Sequence, residues 1–368
     1  MKNTFGNSIS ITLFGESHGK AVGAVIDGLA PGLDVQPGII SKYLASRAPA
    51  DSESARREKD SFEILSGVFN GKTTGTPLTV VVYNEDARPE DYRYGTARPS
   101  HADYAAWCKY HGYEDYRGGG HFSGRVTAAV TAAGAVFIPA LEKLGIRLAS
   151  HILSCGSVND RAFDKVSEDI ESLKNGAFPL LDTSLEEKIK KEAADSKAKG
   201  DSIGGVVQTA VAGLPAGLGE PWFDSVESML SHALFSIGGI KGVEFGAGFS
   251  CAKMNGSEFN DSLRIENGKI FSESNRNGGV NGGITNGMPL VFSCAVRPTA
   301  SIAMEQKTVD FLHGENTTVS TGGRHDPCIV RRICPVIESM TAFVLCDMLA
   351  CRYGTDVFTR GLSKCSAD

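Results

Sequence analysis

Positive charge is in the minority: 37 Lys and Arg stand against 43 Asp and Glu, a net charge of −6. That balance excludes an extended nucleic-acid-binding surface, so no nucleic-acid partner is expected. No run of 18 apolar residues occurs, and no membrane span is expected. The opening Met1-Lys-Asn-Thr-Phe-Gly6 lacks the apolar stretch of a secretion signal. No Cys-x-x-Cys pair exists; nine cysteines, an odd number, are scattered through the chain. Most stand in apolar settings such as Phe292-Ser-Cys294-Ala. They read as reduced core residues of a cytoplasmic protein, with no zinc site. His-Glu-x-x-His, EF-hand and P-loop patterns are missing, so no metal is expected. No G-x-G-x-x-G precedes a suitably spaced acidic residue, which excludes a nicotinamide Rossmann site.

Glycine, by contrast, is plentiful, with 43 residues in short clusters between strand-like runs. The densest cluster is Arg117-Gly-Gly-Gly-His121-Phe122-Ser123-Gly124-Arg125, just before a small-and-apolar run at 126–144 that reads as a buried helix. Three glycines let a ligand or another backbone approach the main chain closely. Ser123 is a favoured N-cap. A helix start flanked by arginines is suited to an anion, because free N–H groups and the positive dipole end point there.

The chain predicts a duplicated pattern. Strand-like Ala21–Ile26, a Gly-Leu-x-Pro-type turn at 27–33 and a helix over Pro37–Arg47 are matched by a strand at 203–211, a turn at 212–218 and a helical run at 222–240. Ser61–Phe69 pairs with Gly242–Phe249 in character, and Thr74–Val82 with Asn286–Cys294. Arg117 leads into the first long helix, and Arg324 into a second at about 335–352. Four matches in one order imply an internal duplication, with pseudo-repeats of about 8–150 and 200–355 in one domain of 1–368. Apolar helices need cover on both sides, so the expected fold is α+β, a helical layer between two antiparallel sheets. The charged stretch 154–199 reads as a solvent-facing connector, and 51–60 as an exposed charged loop.

Several short stretches can carry chemistry. Gly15-Glu-Ser17-His18-Gly19 fits the G-x-S-x-G pattern of a serine-hydrolase elbow, although a strand rather than a helix follows it. A serine hydrolase using Ser17 is therefore one alternative, and a non-catalytic binding module another. Arg98-Pro-Ser-His101-Ala-Asp103 holds a histidine on a stiffened backbone before a helix at 103–110. Arg324-His-Asp326-Pro-Cys328 offers a carboxylate held extended before proline. Arg297-Pro-Thr-Ala-Ser301 combines groups able to hold a phosphate. Gly278-Gly279 and Gly282-Gly283 permit close approach, and Gly238-Gly239 ends a core helix.

Taken together, these stretches resemble the chorismate synthase family. The resemblance rests on Phe14–Gly19, Asp27-Gly28 with Pro31-Gly32, Arg98–Asp103, Asp115–Gly120, Gly200–Gly204, Gly217–Pro221, Lys241–Glu244, Gly279 with Gly282–Ile284, Arg297–Thr299 and Gly323–Cys328, in family order over nearly the whole chain. It implies a lyase that converts 5-enolpyruvylshikimate 3-phosphate to chorismate and phosphate, and a need for reduced FMN (FMNH2). It implies a β-α-β sandwich with pseudo-twofold halves, usually a homotetramer. With no reductase domain visible, an external flavin reductase is expected as partner.

Residue by residue, the resemblance makes His18 the acid for the leaving phosphate and His101 the group that protonates the reduced flavin. Asp326 resembles the carboxylate that assists the flavin as base, and Ser17 and Ser123 the assisting serines. Arg47, Arg98, Arg125 and Arg324 become clamps for a small anionic, phosphorylated substrate. Flavin contacts carry over to His121, Phe122, Ser123, Gly238, Gly239, Gly282, Arg297, Pro298, Thr299, Ala300, Ser301 and Arg324. Arg47 also matches a position linked to NADP. The chain departs from the common pattern at His121-Phe122, where much of the family has Arg-Ser, and in lacking a second arginine after Arg47.

Overall fold

The computed structural model describes residues 2–49, 60–85, 93–266, 268–320 and 326–362. Its frame is two five-stranded antiparallel sheets with helices between them. The first contains β1 (Thr4–Phe5), β2 (Ser10–Gly15), β3 (Ala21–Asp27), β4 (Phe62–Ser66) and β5 (Leu78–Tyr83), in the order β1-β2-β3-β5-β4. The second contains β6 (Arg147–Cys155), β7 (Val158–Asn159), β8 (Gly205–Ala212), β9 (Ile240–Phe245) and β10 (Leu290–Val296), in the order β9-β10-β8-β6-β7.

Under the sequence matches, β3 corresponds to β8, β5 to β10 and β4 to β9. Each trio is adjacent in the same spatial order, β3-β5-β4 and β8-β10-β9. The pairing register shifts at the equivalent edge in both sheets, between Ile64 and Ser66 and between Ile240 and Gly242. Strand order and the position of the register shift are thus alike in the two trios.

Between the sheets lie α1 (Pro37–Arg47), α3 (Thr127–Gly134), α4 (Phe137–Lys143), α7 (Val226–Phe235) and α8 (Val330–Tyr353). On the chain between them, α2 (Asp103–Tyr110), α5 (Val166–Asn175) and α6 (Glu186–Ala198) complete the longer helices. Helix α8 is apolar on nearly every face, which suits a helix enclosed on all sides. It packs on α1, α3, α4, α7, β6 and β8. Val330–Tyr353, like residues 124–143, is long and apolar enough to cross a membrane by length and composition, which the absence of an unbroken apolar run did not suggest. Both stretches are core: 94% and 83% of their apolar windows are buried. Phe137 and Phe343 meet with ring centroids 5.7 Å apart, and Phe5 closes the same cluster 6.0 Å from Phe343. Asp347 anchors the N-terminal segment to α8 by accepting hydrogen bonds from the backbone N–H of Asn7, Ser8 and Ile9 at 2.8–2.9 Å.

Four expectations need correction. The helix expected at 126–144 is broken into α3 and α4 by a tight turn, in which the Val136 N–H donates to the Ala133 carbonyl. The helical run at 222–240 is α-helical only over α7: Trp222–Asp224 form a single 3₁₀ turn, with Trp222 at φ 75°, and Ser225 caps the start of α7. The connector 154–199 is not wholly solvent-facing. Ser154 and Cys155 belong to β6, and α5 packs on β6 and β8, burying Ile170 beside Ala149, Ala210 and Ala212. Finally, Asp60 is buried, at 6% exposure, although it ends a stretch that reads as an exposed loop; 51–59 lie outside the described residues.

The approach of α3 to α8 depends on Gly134, where a Cβ would stand 2.2 Å from Ser339 Cβ and 2.5 Å from its Cα. Alanine is the better helix former by about 1 kcal/mol. Gly134→Ala is nevertheless expected to destabilise the fold by about 1–3 kcal/mol, since overpacking outweighs propensity here. Urea denaturation measures the difference, and a stabilised variant would contradict this account of the helix contact.

Candidate active site

The turn Arg117–Phe122 sets the geometry. Gly118, Gly119 and Gly120 all have positive φ, at 60°, 84° and 53°. Each left-handed glycine also faces a close neighbour. A Cβ on Gly118 would lie 2.2 Å from His18 Cε1 and 3.0 Å from Ser17 Oγ. One on Gly119 would lie 2.8 Å from His101 Cε1 and 3.5 Å from an Arg98 guanidinium nitrogen. One on Gly120 would lie 2.0 Å from the Asp115 carbonyl oxygen. A side chain at Gly118 or Gly119 would push apart motifs that are separate in sequence, and one at Gly120 would clash within its own loop. The turn is fastened to the end of β2, where the Ser17 N–H donates to the Gly120 carbonyl at 3.0 Å. His121 Nδ1 donates to the Gly15 carbonyl at 2.7 Å.

His101 belongs to a three-residue cluster. Its Nδ1 is 2.6 Å from Asp103 Oδ1. Arg98 Nη2, a donor only, also lies 3.0 Å from this Nδ1, but the shorter contact is to the carboxylate, which only accepts, so we assign the Nδ1 proton to the bond with Asp103 and leave Nε2 toward the glycine turn. Arg98 grips the same carboxylate with two parallel bonds, Nε to Oδ2 at 2.9 Å and Nη2 to Oδ1 at 2.8 Å. Its backbone N–H adds a third at 2.9 Å. Burial pushes the Asp103 carboxyl up, but the hydrogen bonds and charges of Arg98 and His101 outweigh it and hold the group well below the usual carboxylate range. Arg117 similarly holds Asp115 below its ordinary value.

Two adjoining cavities, about 310 Å³ and 290 Å³, share His101 and Phe122 in their walls. Such volumes suit small-molecule sites. Arg47, Ser123, Arg125, Gly238, Gly239, Asp326 and the run Arg297–Ser301 line the first, and Arg98 lines the second. Ser123 caps the short turn Gly124–Val126, its Oγ accepting from the Arg125 N–H at 3.3 Å. Asp326 is paired with Arg332 through Oδ2, while its buried Oδ1 has no hydrogen-bond partner among the described residues. Ser17 Oγ is likewise buried without one.

Other expected site residues are not brought into these cavities. Ser17 and His18 lie behind Gly118 and line neither. His121 is also absent from both walls, because its ring is turned to Gly15. Gly282 sits in the hairpin between Val280–Asn281 and Ile284–Thr285, also outside both. The neighbouring Gly283 is required by the approach of the Glu220 carbonyl and Ser225, a packing demand within the chain. Arg324 lies outside the described residues.

Residues that the sequence reading passed over also shape the site. Asp60 bridges Arg47 and Arg125. Asn84 accepts from Arg125 Nε at 2.7 Å, and Thr127 from Arg47 Nε at 2.9 Å. Asp103 was visible inside the motif around His101, but its hydrogen bonds were not. Nothing local marks Asp60, which looks like one more charge in a polar run. The hydrolase reading also loses its frame here: the segment after Gly19 is strand β3, and Ser17 is fully buried.

The family model described as chorismate synthase matches residues 9–350. The chain is 46% identical over 347 residues to the chorismate synthase of Thermococcus gammatolerans, covering 94% of this chain and 96% of that protein. It is 44% identical over 351 residues to that of Methanosarcina acetivorans, covering 94% and 95%. A solved structure titled "Crystal Structure of Chorismate Synthase" aligns with a TM-score of 0.76 at 30% identity, covering 95% of this chain and 94% of that one.

The depressed Asp103 carboxyl gives a pH test. It contributes stability above the unfolded aspartate value of about 3.9, and that contribution is lost as pH falls through the folded value. Asp103→Asn is therefore expected to be less stable than the parent at pH 7, with the gap narrowing below about pH 4. Denaturant melts at several pH values measure the gap; one that widens on acidification would refute the ion-pair assignment.

Proposed function

The chain belongs to the chorismate synthase family, and from that premise we propose how its own residues serve the reaction. The activity is a carbon–oxygen lyase reaction on a phosphorylated substrate, the 1,4-elimination of phosphate from 5-enolpyruvylshikimate 3-phosphate to give chorismate. The family uses a flavin. We take its working form to be reduced FMN.

The observation that carries the residue assignment is His101 in the wall shared by the two cavities, its Nδ1 2.6 Å from Asp103 Oδ1. The first cavity fits a flavin phosphate chemically. Arg297, Thr299 and Ser301 supply a cation and hydroxyls, and Gly238 has open space where a Cβ would stand. Reduced flavin, when bound, supplies the electron-rich ring system that makes the elimination feasible.

The protein's part is binding and proton placement. Arg47, Arg98 and Arg125, with Arg324, clamp the anionic groups of the substrate. As an imidazolium, with its Nδ1–H held by Asp103, His101 would carry a second proton on Nε2 as the acid toward the cofactor. Asp326 offers Oδ1, an acceptor without a hydrogen-bond partner among the described residues, as the carboxylate that would assist the flavin in taking up the ring proton. His18 lies against Gly118 and gives its proton to the departing phosphate, with the Ser17 and Ser123 hydroxyls assisting. A positioned acid or base of this kind contributes about 10²–10⁴-fold.

The hairpin position of Gly282 and the turned ring of His121 argue that their flavin contacts are made outside these two cavities. We further infer a homotetramer in the cytoplasm, served by an external flavin reductase. We read residues 1–368 as one domain, with pseudo-repeats at 8–150 and 200–355 joined through 154–199, on the strength of the shared strand order.

Under anaerobic conditions, chemically reduced FMN and 5-enolpyruvylshikimate 3-phosphate are expected to give chorismate and phosphate in equal amounts. Absence of product would refute the assignment. His18→Ala and His101→Ala are each expected to lower turnover by at least about ten-fold while flavin binding persists. Wild-type rates in either variant would remove that histidine from the mechanism. Aerobic mixtures of NADPH and oxidised FMN alone are expected to sustain no turnover; steady product formation would show an intrinsic reductase.

A further inference from the structure

We propose that Asp60 is a positioning residue, a shared counter-ion that fixes the two cavity arginines Arg47 and Arg125 and limits the positive charge they present. This rests on the reading of the cavity as the site for the phosphorylated substrate. Three elements converge on the Asp60 carboxyl: the end of α1 through Arg47, the turn after the triple glycine through Arg125, and the residue's own place just before β4. Arg47 Nη1 donates to Oδ2 at 2.9 Å, and Arg125 Nη1 donates to Oδ1. The side chains of Asp60, Arg47 and Arg125 are 4%, 6% and 2% exposed.

The rest of each guanidinium is held in place as well. Arg47 Nε meets Thr127 Oγ1 at 2.9 Å, and its Nη2 meets the Gly124 carbonyl at 3.1 Å. Arg125 Nε meets Asn84 Oδ1 at 2.7 Å, and its Nη2 meets the Tyr83 carbonyl at 2.8 Å. One carboxylate therefore closes a network that runs from α1 to the end of β5. Asp60 itself lines the cavity, as do both arginines.

A carboxylate in a site for anions opposes binding by charge, so it contributes by geometry. The two guanidiniums repel each other at this spacing, and a carboxylate between them holds both in one arrangement. Charge and geometry thus pull in opposite directions, and that sets this role apart from a merely structural one. Removing the charge strengthens the attraction for a simple anion while it loosens the arrangement needed for turnover.

The test compares wild type, Asp60→Asn and Asp60→Glu, all with reduced FMN. Inorganic phosphate affinity is measured by calorimetry, and turnover is followed separately. For Asp60→Asn, phosphate is expected to bind at least about three-fold tighter through the lost negative charge. Its kcat is expected to fall at least about ten-fold through misplaced groups. Asp60→Glu keeps the charge but shifts the carboxylate by a methylene, so phosphate affinity stays within two-fold while kcat falls at least about three-fold.

Kinetic constants and phosphate affinity both within two-fold of wild type in Asp60→Asn would overturn the proposal. So would weaker phosphate binding accompanied by a general loss of thermal stability. If Asp60→Asn does not fold, the Asp60→Glu split decides alone, and unchanged turnover there overturns the proposal. A wild-type protein that binds phosphate but makes no chorismate would instead refute the underlying reaction; the affinity differences between variants would still judge Asp60.

Discussion

Backbone contact at the turn Gly118–Gly120 is the constraint on which the site depends. Three consecutive left-handed residues bring bare main chain against His18, His101 and the Asp115 carbonyl. Any side chain there would have to occupy space that a ring or a carbonyl already fills. Left-handed backbone also disfavours every residue type except glycine, with asparagine and aspartate the partial exceptions. Steric room and backbone conformation thus demand the same residue three times in succession. Because the turn is fastened to the end of β2, the first sheet dictates where these groups stand.

The helical layer is the counterpart of that turn. Helix α8 is enclosed by helices and by strands of the second sheet, and Gly134 lets α3 lie against it with no side chain between. Close packing of this kind holds the start of α8 still. Asp326 and Arg332 stand at that start and face the cavity. The polar walls therefore inherit their rigidity from an apolar interior, and interiors packed this densely do not deform continuously.

Four of the arginines in the site stand in opposed pairs, whereas Arg297 bonds a backbone carbonyl, that of Pro298. Arg98 is matched by Asp103, Arg332 by Asp326, and Arg47 and Arg125 share Asp60. Pairing of this kind costs binding strength for an anion, but it removes the freedom of long side chains. It also explains how a chain of net charge −6 can line a cavity with arginines and keep them ordered.

The sequence by itself determined the strands within 21–26 and 74–82 and the helix at 37–47, because periodicity and glycine placement are local properties that survive without coordinates; the family came from the resemblance of its motifs, taken in order. Motif spacing also marked His18, His101 and Asp326. Only the tertiary structure decided how these groups relate. It turned His121 to Gly15, put Gly282 outside the cavities and sealed Asp60 between two arginines 13 and 65 positions away. Those outcomes follow from long-range packing, where the partner of a charge or the neighbour of a glycine lies on another element. A polar run in sequence looks the same whether its last carboxylate meets water or closes a network at the floor of a cavity.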